Sequence, residues 1–409
     1  MALTLLLDLD DTLLDTNIAE FVPAYFQALS RYLQPWVQPD KMLAALMAGT
    51  QRMLENTDPT LTLQQAFDAQ FYPVVGLDNA ELREAIDQFY DGDFLKLSSV
   101  TQRRPGARDL IDSALNRGCR VVIATDPLFP RKAVYERIRW AGLDARQFDL
   151  ISSYETFHFT KSHPAYYAEL LGRVGWPDGP VLMVGNDEER DLLRAQEFGL
   201  STYHVISASA ASHTQGPPSG GSSGAIGRGT LEDLCRWLEA GDAASLEPDL
   251  HRKQAVLAIL LSSPAVLQGL AAGLGVDDWR REPTPEDWAL AEIVCHMRDT
   301  EREVHMDQLR TLLDETQPFV PRPDAAVWAK QRKYLQENGE QALLEFAASR
   351  QATLASMYSL DETVWNKPAR HAIFGPTNFM EVVGFMADHD RLHIQQAWRT
   401  IRAWQGGRI

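Results

Sequence analysis

Residues 5–15 read LLLDLDDTLLD, and this stretch decides how the first half of the chain is understood. A short run of leucines ends abruptly in Asp8 and Asp10. A buried strand avoids ionised carboxylates, because unpaired burial costs several kcal/mol. In a parallel sheet, however, the carboxyl ends of strands are where ligands collect. Two aspartates spaced by two can turn to the same side and share a divalent cation. One can attack a phosphorus atom while the other handles the proton. The simpler reading is that Asp8 to Asp11 only caps a turn.

Working outward, short apolar runs recur at Leu3 to Leu9, Arg120 to Ala124, Asp149 to Ser152, Val181 to Val184 and Ser201 to Val205. Amphipathic helical patterns lie between them, at Ala107 to Arg117, Arg131 to Ala141, Ala165 to Val174 and Glu188 to Phe198. Strand and helix alternating in this way imply βαβ units around a parallel, Rossmann-like α/β sheet. Asn17 to about Val100 reads as helices only, a helical cap over the ligand edge of the sheet. Ser207 to Gly229 is built almost wholly of Ser, Gly, Ala and Pro and is expected to be a flexible loop. Leu231 to Leu238 resumes helical spacing, so the first domain is expected to span residues 1–240.

The DxDxT pattern of Asp8-Leu9-Asp10-Asp11-Thr12, with partners at later strand ends, resembles the haloacid dehalogenase-like hydrolase superfamily. Thr125 in VVIATD fits the second motif and Lys161 in KSHPAYYAELL the third, with Ser162 where the family's KPxP form has its first proline. Asp187 and Asp191 in VLMVGNDEERD fit the acidic fourth, although Gly185-Asn186 stands where many relatives have Gly-Asp. The resemblance implies that Asp8 attacks phosphorus to give an aspartyl-phosphate and that Asp10 acts as acid and base. Thr125 and Lys161 would hold the phosphoryl group. Mg²⁺ would be bound by Asp8, Asp10 (through its carbonyl) and Asp187, with Asp191 either a further ligand or a partner of Lys161. Family members that dehalogenate lack the second aspartate, so a phosphatase of a small phosphorylated metabolite is implied, with a phosphomutase as the alternative. The cap would set specificity, and Tyr25, Arg31, Lys41, Arg52, Tyr72 and Tyr90 are candidates to face the substrate.

The balance of 39 Lys plus Arg against 56 Asp plus Glu leaves a net charge of −17, which repels phosphate backbones and argues against nucleic acid. Three cysteines are too few and too scattered for a disulfide framework. Ala2 to Leu7 is too short for a signal peptide, and no apolar run approaches a membrane span. A soluble, cytoplasmic protein with no membrane partner is expected. At 409 residues the chain exceeds one hydrophobic core.

From residue 249 to 405 strand signals vanish. Long helical patterns run through Gln254 to Leu274, Trp288 to Glu315, Gly339 to Met357 and Asn378 to Trp404, the signature of an all-α four-helix bundle. His389 and His393 lie four apart, hence on one helix face. A protease reading of His389-Asp390-x-x-His393 is discounted, because Asp reaches less far than the glutamate such a motif uses. His296, in Trp288-x3-Glu292-x3-His296, supplies a third imidazole. This element followed by HxxxHxxQ near the chain end resembles the DinB-like four-helix-bundle superfamily. The resemblance implies that His296, His389 and His393 bind one divalent metal, Zn²⁺ or Ni²⁺, leaving an open position for water or substrate. Glu292 is either an acceptor orienting a ligand or a surface carboxylate, and His305 and His371 are expected to be structural. Such a bundle either activates a low-molecular-weight thiol or serves as a metal-holding, regulatory module. The rival for the whole chain is a non-catalytic binding protein.

Overall fold

The structure is a computed structural model and describes residues 2–207, 224–240, 246–321, 323 and 325–404. The chain divides into two compact units, Met1–Tyr167 with Pro177–Asp249, and Ala168–Trp176 with Leu250–Ile409.

In the first unit, β1 (Thr4–Leu7) leads into the short β2 (Leu14–Asp15). Four cap helices follow, α1 (Ile18–Leu33), α2 (Pro39–Leu54), α3 (Leu63–Val75) and α4 (Ala80–Asp91), with a 3₁₀ stretch at Asp93–Val100. β3 (Gln102–Arg103) then pairs antiparallel with β2, tying the two ends of the cap insert together. The remaining elements alternate: α5 (Ala107–Asn116), β4 (Arg120–Ile123), α6 (Arg131–Trp140), β5 (Leu150–Ile151), α7 (Ala165–Arg173, counted in the second unit from Ala168 on) and β6 (Val181–Gly185). A π-helical turn (Glu188–Leu193) runs into α8 (Arg194–Glu197), and β7 (Ser201–Val205), β8 (Gly227–Gly229) and α9 (Leu231–Ala240) complete the series. The six-stranded sheet is parallel throughout, in the order β5-β4-β1-β6-β7-β8. β1 sits inside the sheet with every residue buried, which is why Leu5, Leu6 and Leu7 run without polar alternation.

The expected α/β sheet and helical cap are therefore present. The expected loop at Ser207 to Gly229 is corrected at its end, and residues 208–223 lie outside the described residues. Gly227 to Gly229 form an edge strand, and a Cβ on Gly227 would come within 2.7 Å of the Tyr203 ring. These glycines look like linker composition, but here one lets the Tyr203 ring approach the backbone closely.

The second unit carries α10 (Lys253–Ala271), then α11 (Leu290–Thr300), which passes through a π-helical turn at Glu301–His305 into α12 (Met306–Asp314). After β9 (Phe319–Val320) and the short α13 (Trp328–Gln331) come α14 (Gly339–Tyr358) and α15 (Glu362–Trp365). A hairpin of β10 (Pro368–His371) and β11 (Gly375–Asn378) precedes the long α16 (Phe379–Trp404). The four long helical segments match the expected bundle. The three-stranded sheet β11-β10-β9 does not, because Pro368, Gly375 and Pro376 read as turn signals rather than strand. α10 is also long and apolar enough to cross a membrane by length and composition, contrary to expectation. Most of that helix is buried within the unit, as expected of a bundle's central helix.

Candidate functional site

Asp8 follows β1 directly, and its N–H donates to the Val184 carbonyl at 2.9 Å, so the strand register holds it at the sheet's carboxyl edge. The chain then turns sharply. Thr12, Leu13 and Leu14 donate N–H groups back to the Leu9 carbonyl, and Asp11 adopts a left-handed φ of 57°. The Asp11 carboxylate accepts from the N–H groups of Thr16 and Asn17 at 2.9 and 2.8 Å. Asp11 is thus the turn-making carboxylate of the cluster, which leaves Asp8 and Asp10 for other work.

Lys161 is almost wholly buried and bridges two carboxylates, at 2.5 Å to Asp8 Oδ1 and 2.6 Å to Asp191 Oδ1. Burial alone would lower the lysine's pKa, but Asp191 and Asp8 outweigh it and hold the ammonium well above its usual range. Asp8 is pushed up to about 7, first by burial and then by Asp191, against the pull of Lys161. An all-oxygen site with carboxylate in excess of nearby cation suits a hard divalent ion such as Mg²⁺. Thr125 is buried past the end of β4, and its carbonyl accepts from Ser152 Oγ at 2.7 Å and the Tyr166 hydroxyl at 2.9 Å. The neighbouring Asp126 accepts from the Lys161 backbone N–H at 3.2 Å, tying the third strand-end segment to the second.

Asp191, expected as a further metal ligand or a partner of Lys161, lies beside the lysine, and both it and Asp187 accept backbone hydrogen bonds. Asp191 spends Oδ1 on Lys161, while Oδ2 accepts from the N–H groups of Asn186 and Asp187, both at 3.0 Å. Gly185 makes room for that carboxylate, since a Cβ there would overlap it. Asp187 caps the π-helical turn, its Oδ1 accepting from Glu189 and Arg190 N–H at 3.0 and 2.9 Å. It is Asn186 that reaches the front of the site. The Thr12 hydroxyl lies 2.9 Å from Asp8 Oδ2 and 3.0 Å from Asn186 Oδ1. The carboxylates of Asp8, Asp10, Asp187 and Asp191 do not gather into a tight cluster; among the described residues only three histidines do.

Asp10 is held from two sides. Its Oδ1 accepts from the Thr16 hydroxyl at 2.8 Å, and its Oδ2 lies 2.5 Å from Arg137 Nη1. Arg137 is wholly buried on α6, its guanidinium 4.4 Å from the Phe129 ring centre. Reading by motif overlooks Arg137. The available signal is a cation sharing a helix face with Ala133, Val134 and Ile138, all buried.

In the bundle, α11 brings His296 and α16 brings His389 and His393 into one cluster, with one ligand atom from each lying within 4.8 Å of the others. His296 Nε2 and His389 Nε2 face each other at 3.3 Å. Burial first, and then the neighbouring imidazoles, push His296 down to about 4 and His393 to about 3, and burial also lowers His389. Three converging neutral imidazoles fit a borderline transition metal. The Trp288 ring is stacked parallel to His393, 6.0 Å between centres. Behind the cluster, Arg350 is buried between Glu301 (2.8 Å) and Asp390 (2.5 Å), and Asp390 Oδ1 lies 3.8 Å from His389 Nδ1. Glu292 is buried, which corrects the surface-carboxylate alternative. Its carboxylate accepts from the Ala289 N–H at 3.0 Å and caps the start of α11. His305 bonds Glu301 at 2.9 Å, and His371 Nδ1 accepts from the Ile373 and Phe374 N–H groups in the β10–β11 turn. A cavity of about 880 Å³ opens beside the three histidines, walled by Val382, Phe385, Met386 and Leu392 among others.

The family model described as haloacid dehalogenase-like hydrolase matches residues 3–199, and that of the DinB superfamily matches residues 259–397. Comparison with curated proteins gave no match. Among solved structures, the chain is similar to a HAD phosphatase from Thermococcus onnurineus, at 18% identity and TM-score 0.38 over 59% of this chain and 100% of that one. It is similar to the putative HAD-hydrolase YfnB from Bacillus subtilis, solved bound to magnesium, at 22% identity and TM-score 0.37, covering 58% and 99% of the two chains. It is also similar to YfiT from Bacillus subtilis, described as a probable metal-dependent hydrolase with a four-helix bundle, at 16% identity and TM-score 0.34, covering 39% and 91%. The chain thus joins a haloacid dehalogenase-like hydrolase region to a DinB-like helical region that carries a three-histidine cluster.

Proposed function

We propose that the first unit is a phosphatase that acts on a small phosphorylated metabolite through an aspartyl-phosphate on Asp8. The observation that carries this reading is the buried Lys161 bridging Asp8 and Asp191, with Asp10 held separately by Thr16 and Arg137. Asp8 attacks phosphorus as the bond to the leaving oxygen breaks, and Asp10 delivers a proton to that oxygen. Water then attacks the phosphorus, giving its proton to Asp10, and the Asp8–phosphorus bond breaks to release phosphate. Lys161 stays charged throughout and offsets charge on the phosphoryl oxygens. Mg²⁺, held by Asp8, the Asp10 carbonyl and an oxygen of Asn186 or Asp187, would supply further positive charge at the phosphoryl group. The test is phosphate release from a panel of phosphomonoesters with Mg²⁺, for wild type and Asp8→Asn. Turnover by Asp8→Asn near the wild-type rate would place the chemistry elsewhere.

For the second unit we infer a site for one divalent transition metal on His296, His389 and His393. The convergence of three neutral imidazoles beside a largely apolar cavity supports it. Three nitrogen ligands leave a position open to a sulfur or oxygen atom, so a low-molecular-weight thiol is a fitting co-substrate. Thiol-dependent turnover by the metal-loaded protein would establish a catalytic role, and metal binding without it would leave a regulatory one.

A further inference from the structure

The cap encloses a cavity of about 170 Å³ in which no lining residue carries a charge. Its walls include Val22, Tyr25 and Leu29 of α1, Leu46 of α2 and Phe71 of α3. Packed interiors hold few voids larger than a water molecule, so an opening of this size among well-packed aromatic rings calls for an occupant. An apolar cavity of about 150 Å³ stays dry and takes up benzene.

The remaining wall ties this cavity to the phosphoryl site. Leu128, Phe129 and Pro130 line it, and they follow Thr125 and Asp126 on the same loop. Tyr154 also lines it, two residues after the Ser152 that holds the Thr125 carbonyl. Phe129 lies against the Arg137 guanidinium, and Arg137 holds Asp10. In the reading above, Asp10 is the residue that protonates the leaving oxygen. The cavity therefore stands on the leaving-group side.

Inside it, the hydroxyls of Tyr25 and Tyr90 share one hydrogen bond of 2.8 Å. Two phenols bring two protons to one shared bond, so one donor remains for a ligand acceptor.

We infer that this cavity is the leaving-group subsite of the phosphatase and takes an uncharged aromatic or compact apolar group, on a monoester with no second anionic group. The inference rests on the phosphatase reading of Asp8 and Asp10. A second phosphate or a carboxylate would enter the cavity with no cation to meet it, at a large desolvation cost. A sugar would bring several hydroxyls to a wall that is mostly aliphatic and aromatic, where only Thr50, Tyr25, Tyr90 and Tyr154 carry a hydroxyl.

The test uses the full-length protein with Mg²⁺ and three esters: benzyl phosphate, glucose 6-phosphate and 2-phosphoglycolate. Benzyl alcohol is about as poor a leaving group as a sugar hydroxyl, so preference reports recognition rather than reactivity. The expected kcat/KM for benzyl phosphate exceeds the other two by at least about tenfold, and Leu46→Phe, which fills the cavity, removes the preference. Should Leu46→Phe not fold, calorimetric titration of benzyl alcohol into the Asp8→Asn protein gives an independent reading, with saturable one-to-one binding expected. If glucose 6-phosphate or 2-phosphoglycolate is hydrolysed as well as benzyl phosphate, or if benzyl alcohol does not bind, the subsite is overturned while the phosphatase stands. If none of the three esters is hydrolysed, the phosphatase reading fails and the subsite falls with it.

Discussion

Arg137 Nη1 lies 2.5 Å from Asp10 Oδ2, a pairing of a wholly buried guanidinium with the carboxylate assigned to proton transfer. Breaking a buried pair by removing one partner leaves an uncompensated charge and costs about 3–5 kcal/mol. Arg137→Met should therefore destabilise the first unit by an amount of that order in urea denaturation, and should lower kcat more than it raises KM. Arg137→Lys, which keeps the charge but not the planar fork, should recover part of both. A stability loss under about 1 kcal/mol, the range of exposed pairs, would show that Asp10 is not held this way.

Lys161 is the only ammonium between Asp8 and Asp191 in the described site. Lys161→Met leaves two buried carboxylates facing each other, so Asp8 should take up a proton more readily and lose its nucleophilic form. Phosphate release should fall by roughly 10³-fold or more. Lys161→Met turnover within a few-fold of wild type would remove the lysine from the chemistry.

Asn186 Oδ1 approaches Asp8 through the Thr12 hydroxyl, whereas the Asp187 carboxylate caps the following turn. A neutral amide oxygen binds Mg²⁺ more weakly than a carboxylate does. Asn186→Asp should lower the Mg²⁺ concentration needed for half-maximal turnover, and Asp187→Asn should change it little. The opposite pattern in a Mg²⁺ titration would return the ligand role to Asp187.

One metal per chain is expected in the purified full-length protein, and His389→Ala should lose it by elemental analysis. Equal metal in His389→Ala and wild type would return the three histidines to simple packing. The pH window follows from the depressed imidazoles. In the unfolded chain each titrates near roughly 6.5, and in the folded bundle His296 does so at about 4 and His393 at about 3. Between these values the unfolded state binds more protons, so stability rises with pH there and is lost as pH falls. Metal-free protein should keep its bundle stability above about pH 6.5 and lose it progressively towards about 4. Thermal melts across that range check the sign. The same depression means that protons compete with the metal well below the ordinary imidazole pKa.

The strand and helix alternation, the two aspartates at the end of β1, and the histidine spacing on α16 were all legible in the chain itself. These features follow from local chemistry: apolar runs bounded by turns, a carboxylate where a buried strand would not tolerate one, and a four-residue helical repeat. A turn-capping role for the Asp8 to Asp11 cluster was an alternative in the sequence, but only the structure assigns it to Asp11. What the tertiary structure alone decided concerns partners distant in sequence. Arg137 meets Asp10 across 127 positions, because a helix face that buries Ala133 and Ile138 also buries the guanidinium. Asn186 meets the Thr12 hydroxyl that also bonds Asp8, while the Asp187 carboxylate caps the turn after β6. Gly227 belongs to a strand because it pairs with Tyr203 of β7, and it is a glycine where the Tyr203 ring occupies the space a side chain would need. His296 joins His389 and His393 only because α11 and α16 pack together, and helix spacing within one segment carries no information about which other helix it will face. Composition and period set the elements; which charged or polar group each carboxylate finds depends on packing between segments far apart in the chain.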